Sequence, residues 1–149
     1  MSLTLDTNIL IYAVDDRDIL KQDIARLVLY RALEMGAILG LQVVGEYQNA
    51  LKRRIKLSSE DAATAAAFAL RSFDTFAYDR EAVQRALEAA RAYRFSYWDA
   101  LLLASAEASG VTALFSEDMH HGGMFGRVEI INPFSDEGLS ARARAVLNL

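Results

Sequence analysis

Two acidic residues come directly after apolar runs of the sequence. Asp6 follows the run Leu3–Leu5. Asp118 comes shortly after the run Val111–Phe115. If both runs are strands of one parallel sheet, both carboxylates lie at its carboxyl edge, where α/β proteins bind ligands. Each acid alone also has a simpler interpretation, because Asp6 could cap the helix that follows it and Asp118 could belong to a turn.

Two further acids lie on predicted helices. Asp99 is in the first turn of the segment Trp98–Ala108, whose other positions are nearly all apolar or small, so this helix would be buried on every side. A buried carboxylate without a partner costs several kcal/mol or takes up a proton, although the free amides of a helix N-terminus favour an anion. Glu46 lies about 40° beyond the edge of an apolar arc on a helical wheel, at the rim of the core. The arc comprises Val43, Val44, Tyr47, Ala50, Leu51 and Ile55.

Taken together, the four acids could converge on one cleft. Alone, Glu46 would be an ordinary solvated residue and Asp99 would only complement the helix dipole. Carboxylates that lie close together raise each other's pKa unless a positive charge lies among them. A hard divalent cation is the natural candidate, because Mg²⁺ takes carboxylate oxygens and keeps several waters. Such a site needs no thiolate ligand, and the chain has no cysteine.

The elements that must position these acids alternate between strands and helices. Strands are predicted at Leu3–Leu5, Ala37–Leu39, Thr75–Ala77, Val111–Phe115 and Val128–Ile131. Helices are predicted at Asn8–Val14, Ile19–Met35, Val43–Lys56, Ser59–Ser72 (with Ser58 as the other possible cap), Arg80–Tyr93, Trp98–Ser109 and Leu139–Leu147. This alternation predicts an α/β fold with a parallel sheet and helices on both faces.

The length and composition favour a single domain over residues 1–149. Of the 149 residues, 53% are hydrophobic and 24% are charged, so a sizeable core is expected. The net charge of -4 argues against a protein that coats nucleic acid by general attraction, but not against a site where cations offset local acids. We see no signal peptide and no apolar run of the roughly 18 residues that a membrane span needs. We therefore expect a cytoplasmic protein without membrane contact.

Basic residues cluster on the helix that carries Glu46. The cluster comprises Lys52, Arg53, Arg54 and Lys56. Arg53 shares the Glu46 side of the helix, which makes it the best candidate for a phosphate contact. Lys52 and Lys56 are equally well explained as solvated residues whose charge suits a helix C-terminus.

Aromatic side chains cluster just before Asp99. The cluster comprises Tyr93, Phe95, Tyr97 and Trp98. These rings could stack on bases, but such residues more often pack into a core or a subunit contact, and we favour that interpretation. We expect the adjacent His120 and His121 on a loop surface, because neighbouring side chains rarely face one ion.

Four segments resemble the acidic motifs of one known family. They are DTNILIY from Asp6, GEYQNAL from Gly45, SYWDALLLASA from Ser96 and LFSEDMHHG from Leu114. Their order and spacing resemble those of PIN-domain ribonucleases, and most closely the VapC-type toxins of toxin–antitoxin pairs. The resemblance implies a three-layer α/β/α sandwich with a short parallel sheet. It also implies an acidic pocket that holds Mg²⁺ or Mn²⁺ and hydrolyses RNA phosphodiester bonds.

The resemblance also assigns roles to individual residues. The catalytic and metal-binding acids would be Asp6, Glu46, Asp99 and Asp118. Asp6 and Asp99 would be the leading direct ligands, and the other two acids would bind through water, hold a second ion or orient the attacking water. Asn8 and Ser116 would orient the acids or a water from behind. Where some relatives carry a further acid, this chain has Met119 and two histidines. The resemblance therefore does not decide whether a second metal ion binds.

The resemblance to VapC-type toxins further implies a homodimer and an antitoxin protein that covers the cleft or a neighbouring groove. Three alternatives stay open from the sequence. The chain could be a non-catalytic metal-binding module or a protein-interaction module of PIN-like fold. It could also be a DNA nuclease, because a metal site does not sense the 2′-hydroxyl group.

Overall fold

The computed structural model describes residues 1–149 as eight strands and seven helices. The strands are β1 (Leu3–Leu5), β2 (Ile38–Gly40), β3 (Asp74–Phe76), β4 (Ala113–Phe115), β5 (Met124–Phe125), β6 (Val128–Ile131), β7 (Phe134–Ser135) and β8 (Gly138–Leu139). The helices are α1 (Thr7–Val14), α2 (Ile19–Glu34), α3 (Leu41–Arg53), α4 (Ser59–Ser72), α5 (Arg80–Arg91), α6 (Tyr97–Ala108) and α7 (Ala141–Val146).

The main sheet has the strand order β1-β4-β6-β5. The first three strands in that order are parallel, with Leu5 opposite Phe115 and Phe115 opposite Ile131. The short strand β5 runs antiparallel to β6, and β2 and β3 form a separate parallel pair beside β1. Helices flank this arrangement, so the predicted α/β fold is confirmed.

Helix α6 is the most deeply buried helix of the fold. Every residue from Ala100 to Ala106 is buried, as its almost wholly apolar sequence predicts. It packs against α5 and also contacts β2 and β6, whereas α1 to α4 pack on one another. No helix is both long enough and apolar enough to cross a membrane.

Two of the four acids lie at helix starts that side chains cap. Asp6 is the N-cap of α1, and its carboxylate accepts a hydrogen bond from the backbone N–H of Thr7. Ser96 is the N-cap of α6, and its hydroxyl accepts from the backbone N–H of Asp99. These caps fix where each helix begins, and therefore where each acid lies relative to the sheet.

Several element boundaries differ from the sequence-based predictions. Helix α3 begins at Leu41 rather than Val43, because the chain turns into the helix directly after Gly40, and it ends at Arg53. The predicted helix Leu139–Leu147 is shorter, because Leu139 belongs to strand β8 and Ser140 caps α7. Strands β5, β7 and β8 were not predicted, since two residues carry no readable alternation.

The glycines around α3 give a matched pair of stability predictions. Gly45 is exposed inside the helix with no atom within 4 Å of an added Cβ, so Gly45→Ala should raise the free energy of unfolding by about 0.5–1 kcal/mol. At Gly40 an added Cβ would lie 3.1 Å from Leu102 Cδ1 and 3.3 Å from Phe76 Cζ. Gly40→Ala should therefore lower the unfolding free energy by on the order of 1 kcal/mol. Urea unfolding of both variants checks this, and the same sign for both would contradict it.

Candidate functional site

The predicted acids line one cleft of about 250 Å³ at the carboxyl edge of the sheet. Its lining comprises Asp6, Thr7, Asn8, Glu46, Asn49, Ala50, Arg53, Arg54, Asp99 and Asp118. Ser116 lies fully buried behind this lining and bonds to Asp6. The structure thus brings together all seven residues that the sequence singled out. Sequence reasoning missed Thr7 and Asn49 among the lining residues, and it placed Arg54 in the basic cluster without assigning it to the cleft.

Asp6 is the most deeply buried of the four acids. It is 8% exposed, and its Oδ2 accepts a hydrogen bond of 2.7 Å from the Ser116 hydroxyl. Burial raises the pKa of Asp6 to about 6, although the Ser116 bond works in the opposite direction. The nearby carboxylates of Asp99 and Glu46 also contribute to this raised pKa. The position therefore disfavours a lone negative charge and would accept a proton or a cation.

Asn8 links the acids that follow the two central strands. Its side-chain amide donates to Asp118 Oδ2 at 2.9 Å and reaches Asp6 Oδ2 at 3.5 Å. Its side-chain carbonyl accepts from the backbone N–H of Glu117 at 3.3 Å. The hydroxyl of Ser116 also accepts from the backbone N–H of Asp118. Asn8 and Ser116 therefore hold these two acids at a fixed separation.

Glu46 is held by one donor on each carboxylate oxygen. The Thr7 hydroxyl donates to Oε2 at 2.7 Å, and the Gln42 amide donates to Oε1 at 2.9 Å. The same Gln42 nitrogen donates to the backbone carbonyl of Trp98 at 3.0 Å. Gln42 therefore joins α3 to the start of α6, the two helices that carry Glu46 and Asp99. Its position one helical turn before Glu46 was the only signal in the sequence.

Asp99 is half-buried at the start of α6. Burial raises its pKa, the cap residue Ser96 lowers it, and the charges of Glu46 and Asp118 raise it again. No ion pair in the structure involves any of the four acids. The cluster is therefore a concentration of negative charge in which no carboxylate is paired with a lysine or arginine, although Arg53 and Arg54 line the same cleft.

A second cluster fixes the loop between Ser116 and Asp118 from outside the cleft. The Lys21 ammonium donates to Glu117 Oε1 at 2.7 Å, and the Tyr12 hydroxyl reaches the same oxygen at 3.3 Å. The Lys21 nitrogen also lies 4.7 Å from the centre of the Tyr12 ring. No sequence pattern predicts this cluster, because Tyr12, Lys21 and Glu117 are brought together only by the fold.

The donor set fits a hard divalent cation. All four acids offer oxygen, and the pKa values of Asp6 and Asp99 are raised, so a cation would relieve a real electrostatic cost. No three His, Cys, Asp or Glu side chains are grouped closely enough to form a ready-made metal site. An ion here would have to share its shell with water, as Mg²⁺ commonly does.

The basic and aromatic residues divide into those near the cleft and those away from it. Arg53 and Arg54 are exposed and line the cleft, whereas Lys52 and Lys56 are exposed elsewhere. The predicted core packing of Phe95 and Tyr97 is confirmed, because both rings pack against the hydrophobic core. Tyr93 and Trp98 are 95% and 59% exposed and lie outside the core, so a subunit contact stays the prediction for these two rings. The expected surface position of His120 and His121 is confirmed.

The chain matches the PIN domain family over residues 3–122. It therefore belongs to the PIN domain family. A comparison with curated protein sequences gives no match.

Solved structures of VapC toxins and their complexes share the fold. One is VapC20 of Mycobacterium tuberculosis, described as a sarcin-ricin loop cleaving toxin, with 19% identity over 75% of this chain and 86% of that chain and a TM-score of 0.62. A second is VapBC2 of Rickettsia felis bound to a promoter DNA fragment, with 15% identity, coverage of 87% and 97%, and a TM-score of 0.61. A third is a toxin–antitoxin complex of Klebsiella pneumoniae, with 20% identity, coverage of 89% and 98%, and a TM-score of 0.63.

The raised pKa of Asp6 predicts a pH dependence of stability in metal-free protein. The folded state holds a proton on Asp6 up to a pH of about 6, whereas the unfolded state releases it near 3.8. The unfolding free energy should therefore fall as the pH rises through this window. Asp6→Asn should reduce this dependence, leaving the contribution of Asp99, whose pKa is also raised, and should stabilise the protein at pH 8 by up to about 3 kcal/mol.

Thermal and urea unfolding between pH 4 and 8 in EDTA measures this effect. Asp23→Asn, a change at an exposed carboxylate on α2, is the matched control and should keep the wild-type slope. A wild-type slope in Asp6→Asn would contradict the prediction.

Proposed function

We propose that the protein is an endoribonuclease dependent on Mg²⁺ or Mn²⁺ that hydrolyses RNA phosphodiester bonds. The observation that carries this proposal is the group of four carboxylates in one cleft, none of them in an ion pair. Burial and the neighbouring carboxylates raise the pKa values of two of them, Asp6 and Asp99. Membership of the PIN domain family supports it, because the matched residues 3–122 include all four acids.

Each acid has a proposed role that follows from its surroundings. Asp6 and Asp99 hold the ion directly, because their pKa values show the greatest need for a positive charge. Glu46 and Asp118 bind through water, hold a second ion or orient the attacking water, and Thr7, Gln42 and Asn8 hold their carboxylates in place. The bound ion would lower the pKa of a water molecule and offset charge on the phosphate.

The residues behind and beside the acids complete the proposed site. Asn8 and Ser116 keep Asp6 and Asp118 from moving apart. Arg53 binds a substrate phosphate at the open side of the cleft, and Arg54 extends the same positive rim. This local arrangement brings a polyanion to an acidic pocket although the whole chain carries a net charge of -4.

We further propose that the protein is the toxin of a type II toxin–antitoxin pair. The fold is shared with VapC20, described as a toxin, and with two VapBC-type or toxin–antitoxin assemblies. Its RNA substrate and its antitoxin would meet it in the cytoplasm. A homodimer, which the family resemblance implies, is part of this proposal.

An apolar groove beside the cleft is the proposed antitoxin surface. It lies between α1, α2 and α4, and ten of its eleven lining residues are hydrophobic. Phe68 in this groove is 66% exposed, which is costly for a large aromatic side chain. The groove also includes Tyr47, the neighbour of Glu46 on α3, so a protein bound there would lie close to the acids.

Cleavage of a mixed pool of structured RNAs by purified protein tests the proposed chemistry. We expect cutting with Mg²⁺ or Mn²⁺, none with EDTA, and a loss of at least about a thousandfold in Asp6→Asn or Asp99→Asn. Asp16→Asn, a change at an exposed carboxylate outside the cleft, is the control and should cut normally.

The same assay separates the alternatives. Equal cutting of matched DNA would indicate a general nuclease. Cutting that persists in EDTA or in Asp6→Asn would overturn the metal-dependent mechanism, and absence of cutting by folded protein with every metal would favour a binding module.

Induced expression in a bacterial host tests the proposed toxin and its partner surface. Wild-type protein should arrest growth, Asp6→Asn should not, and co-expression with a candidate antitoxin from the same genome should restore growth. Phe68→Asp should remain toxic but escape this rescue, because a charge in the groove opposes apolar binding. Full rescue of Phe68→Asp by the antitoxin that rescues wild type would exclude the groove as the contact surface.

A further inference from the structure

The single tryptophan of the chain is exposed at the start of α6, the helix that carries Asp99. Trp98 directly precedes Asp99 and is 59% exposed. Its ring packs edge-to-face against Tyr97, with the ring centres 5.0 Å apart, and Tyr97 packs against the core. One partner thus restrains the indole, while most of its surface stays open to solvent.

The backbone of Trp98 is fixed to the helix that carries Glu46. The Gln42 amide donates both to the Trp98 carbonyl at 3.0 Å and to Glu46 Oε1 at 2.9 Å. A single amide group therefore separates the tryptophan backbone from a carboxylate of the cleft. This link places the start of α6 beside the first turn of α3.

The two ends of α3 give the cleft an aromatic end and a basic end. Gln42, beside Trp98, lies one turn before Glu46, and Arg53 lies about two turns after it, which is roughly 10 Å along the helix. A strand that crosses the acids along α3 would meet Arg53 and Arg54 on one side of them. On the other side it would come to Trp98.

A base is the group that matches an exposed indole at this position. Every base has a flat π-face that stacks on aromatic rings whatever its sequence, and only an unpaired base has that face free. The arginines at the other end offer a positive charge and a donor fork that suit a phosphate, so the two ends match different parts of one nucleotide chain.

We propose that Trp98 is a stacking platform for an unpaired base of the substrate, on the side of the cut opposite Arg53. This inference rests on the proposed function, because it takes the acids of the cleft as the place of cutting. It makes Trp98 a specificity-determining residue, since stacking on the indole would strengthen the binding of RNA with an unpaired base next to the cut but not the binding of a duplex.

Fluorescence of the sole tryptophan gives a direct test. The probes are a six-nucleotide oligouridine and a six-unit abasic ribose-phosphate oligomer, which carry the same phosphates but differ in bases. Titrations use wild-type protein in Ca²⁺, and the length of each oligomer is checked afterwards. We expect the oligouridine to quench Trp98 emission and bind about tenfold more tightly than the abasic oligomer.

Variants separate stacking from general binding. With binding followed by fluorescence anisotropy of end-labelled oligomers, Trp98→Leu should bind oligouridine about tenfold more weakly but bind the abasic oligomer as wild type does. Trp98→Phe should fall between the two, because it keeps an aromatic face. Arg53→Ala should weaken both oligomers to the same extent, since both present phosphates. Circular dichroism confirms that each variant is folded.

Three outcomes would overturn the inference. They are equal affinity for the two oligomers, an equal loss on both in Trp98→Leu, and no measurable binding of oligouridine. A concentration-dependent shift of Trp98 emission that coincides with dimer formation in sedimentation would assign the residue to a contact between copies instead. Base-selective binding without nuclease activity would support the stacking role of Trp98 and contradict the proposed nuclease. Nuclease activity without base-selective binding would support the nuclease and contradict the stacking role.

Discussion

The parallel pairing of β1 with β4 is the constraint on which the site depends. It joins residues that are 110 positions apart, and it continues past the strands through the hydrogen bond from the Asp6 N–H to the Phe115 carbonyl at 2.9 Å. Because both strands end at this edge, Asp6 and Ser116 meet there, and Asn8 then reaches Asp118. The strand pair therefore sets the distance between Asp6 and Asp118, and helices α3 and α6 then bring Glu46 and Asp99 to the same cleft.

Grouping the four carboxylates costs electrostatic free energy, which the packing of the core must offset. Four carboxylates face one cleft without a lysine or arginine paired to any of them, and the hydrogen bonds around them hold their positions without neutralising their charge. The neighbouring structure is correspondingly rigid, since α6, which is buried from Ala100 to Ala106, cannot move without disturbing the core. A charged cluster of this kind keeps its shape only because stable packing surrounds it.

Sequence reasoning recovered the fold and the acids because both leave local patterns. Strands β1, β4 and β6 are short apolar runs, and the acids follow strands or begin helices at readable positions. The contacts of Gln42 with Trp98 and of Lys21 with Glu117 could not be predicted, because they join residues 56 and 96 positions apart. The exposure of Trp98 was also not predictable, since it depends on how far α6 projects beyond the core.

The long sequence separation between β1 and β4 also affects when the site can form during synthesis of the protein. During synthesis Asp6 leaves the ribosome long before its partner strand exists, and the interval of 110 residues corresponds to roughly ten seconds of elongation. The carboxylates therefore cannot assemble on a nascent chain until β4 and Asp118 have been made and have left the ribosome. A ribosome that makes this protein carries an incomplete site until that point, although its first acid has long been outside.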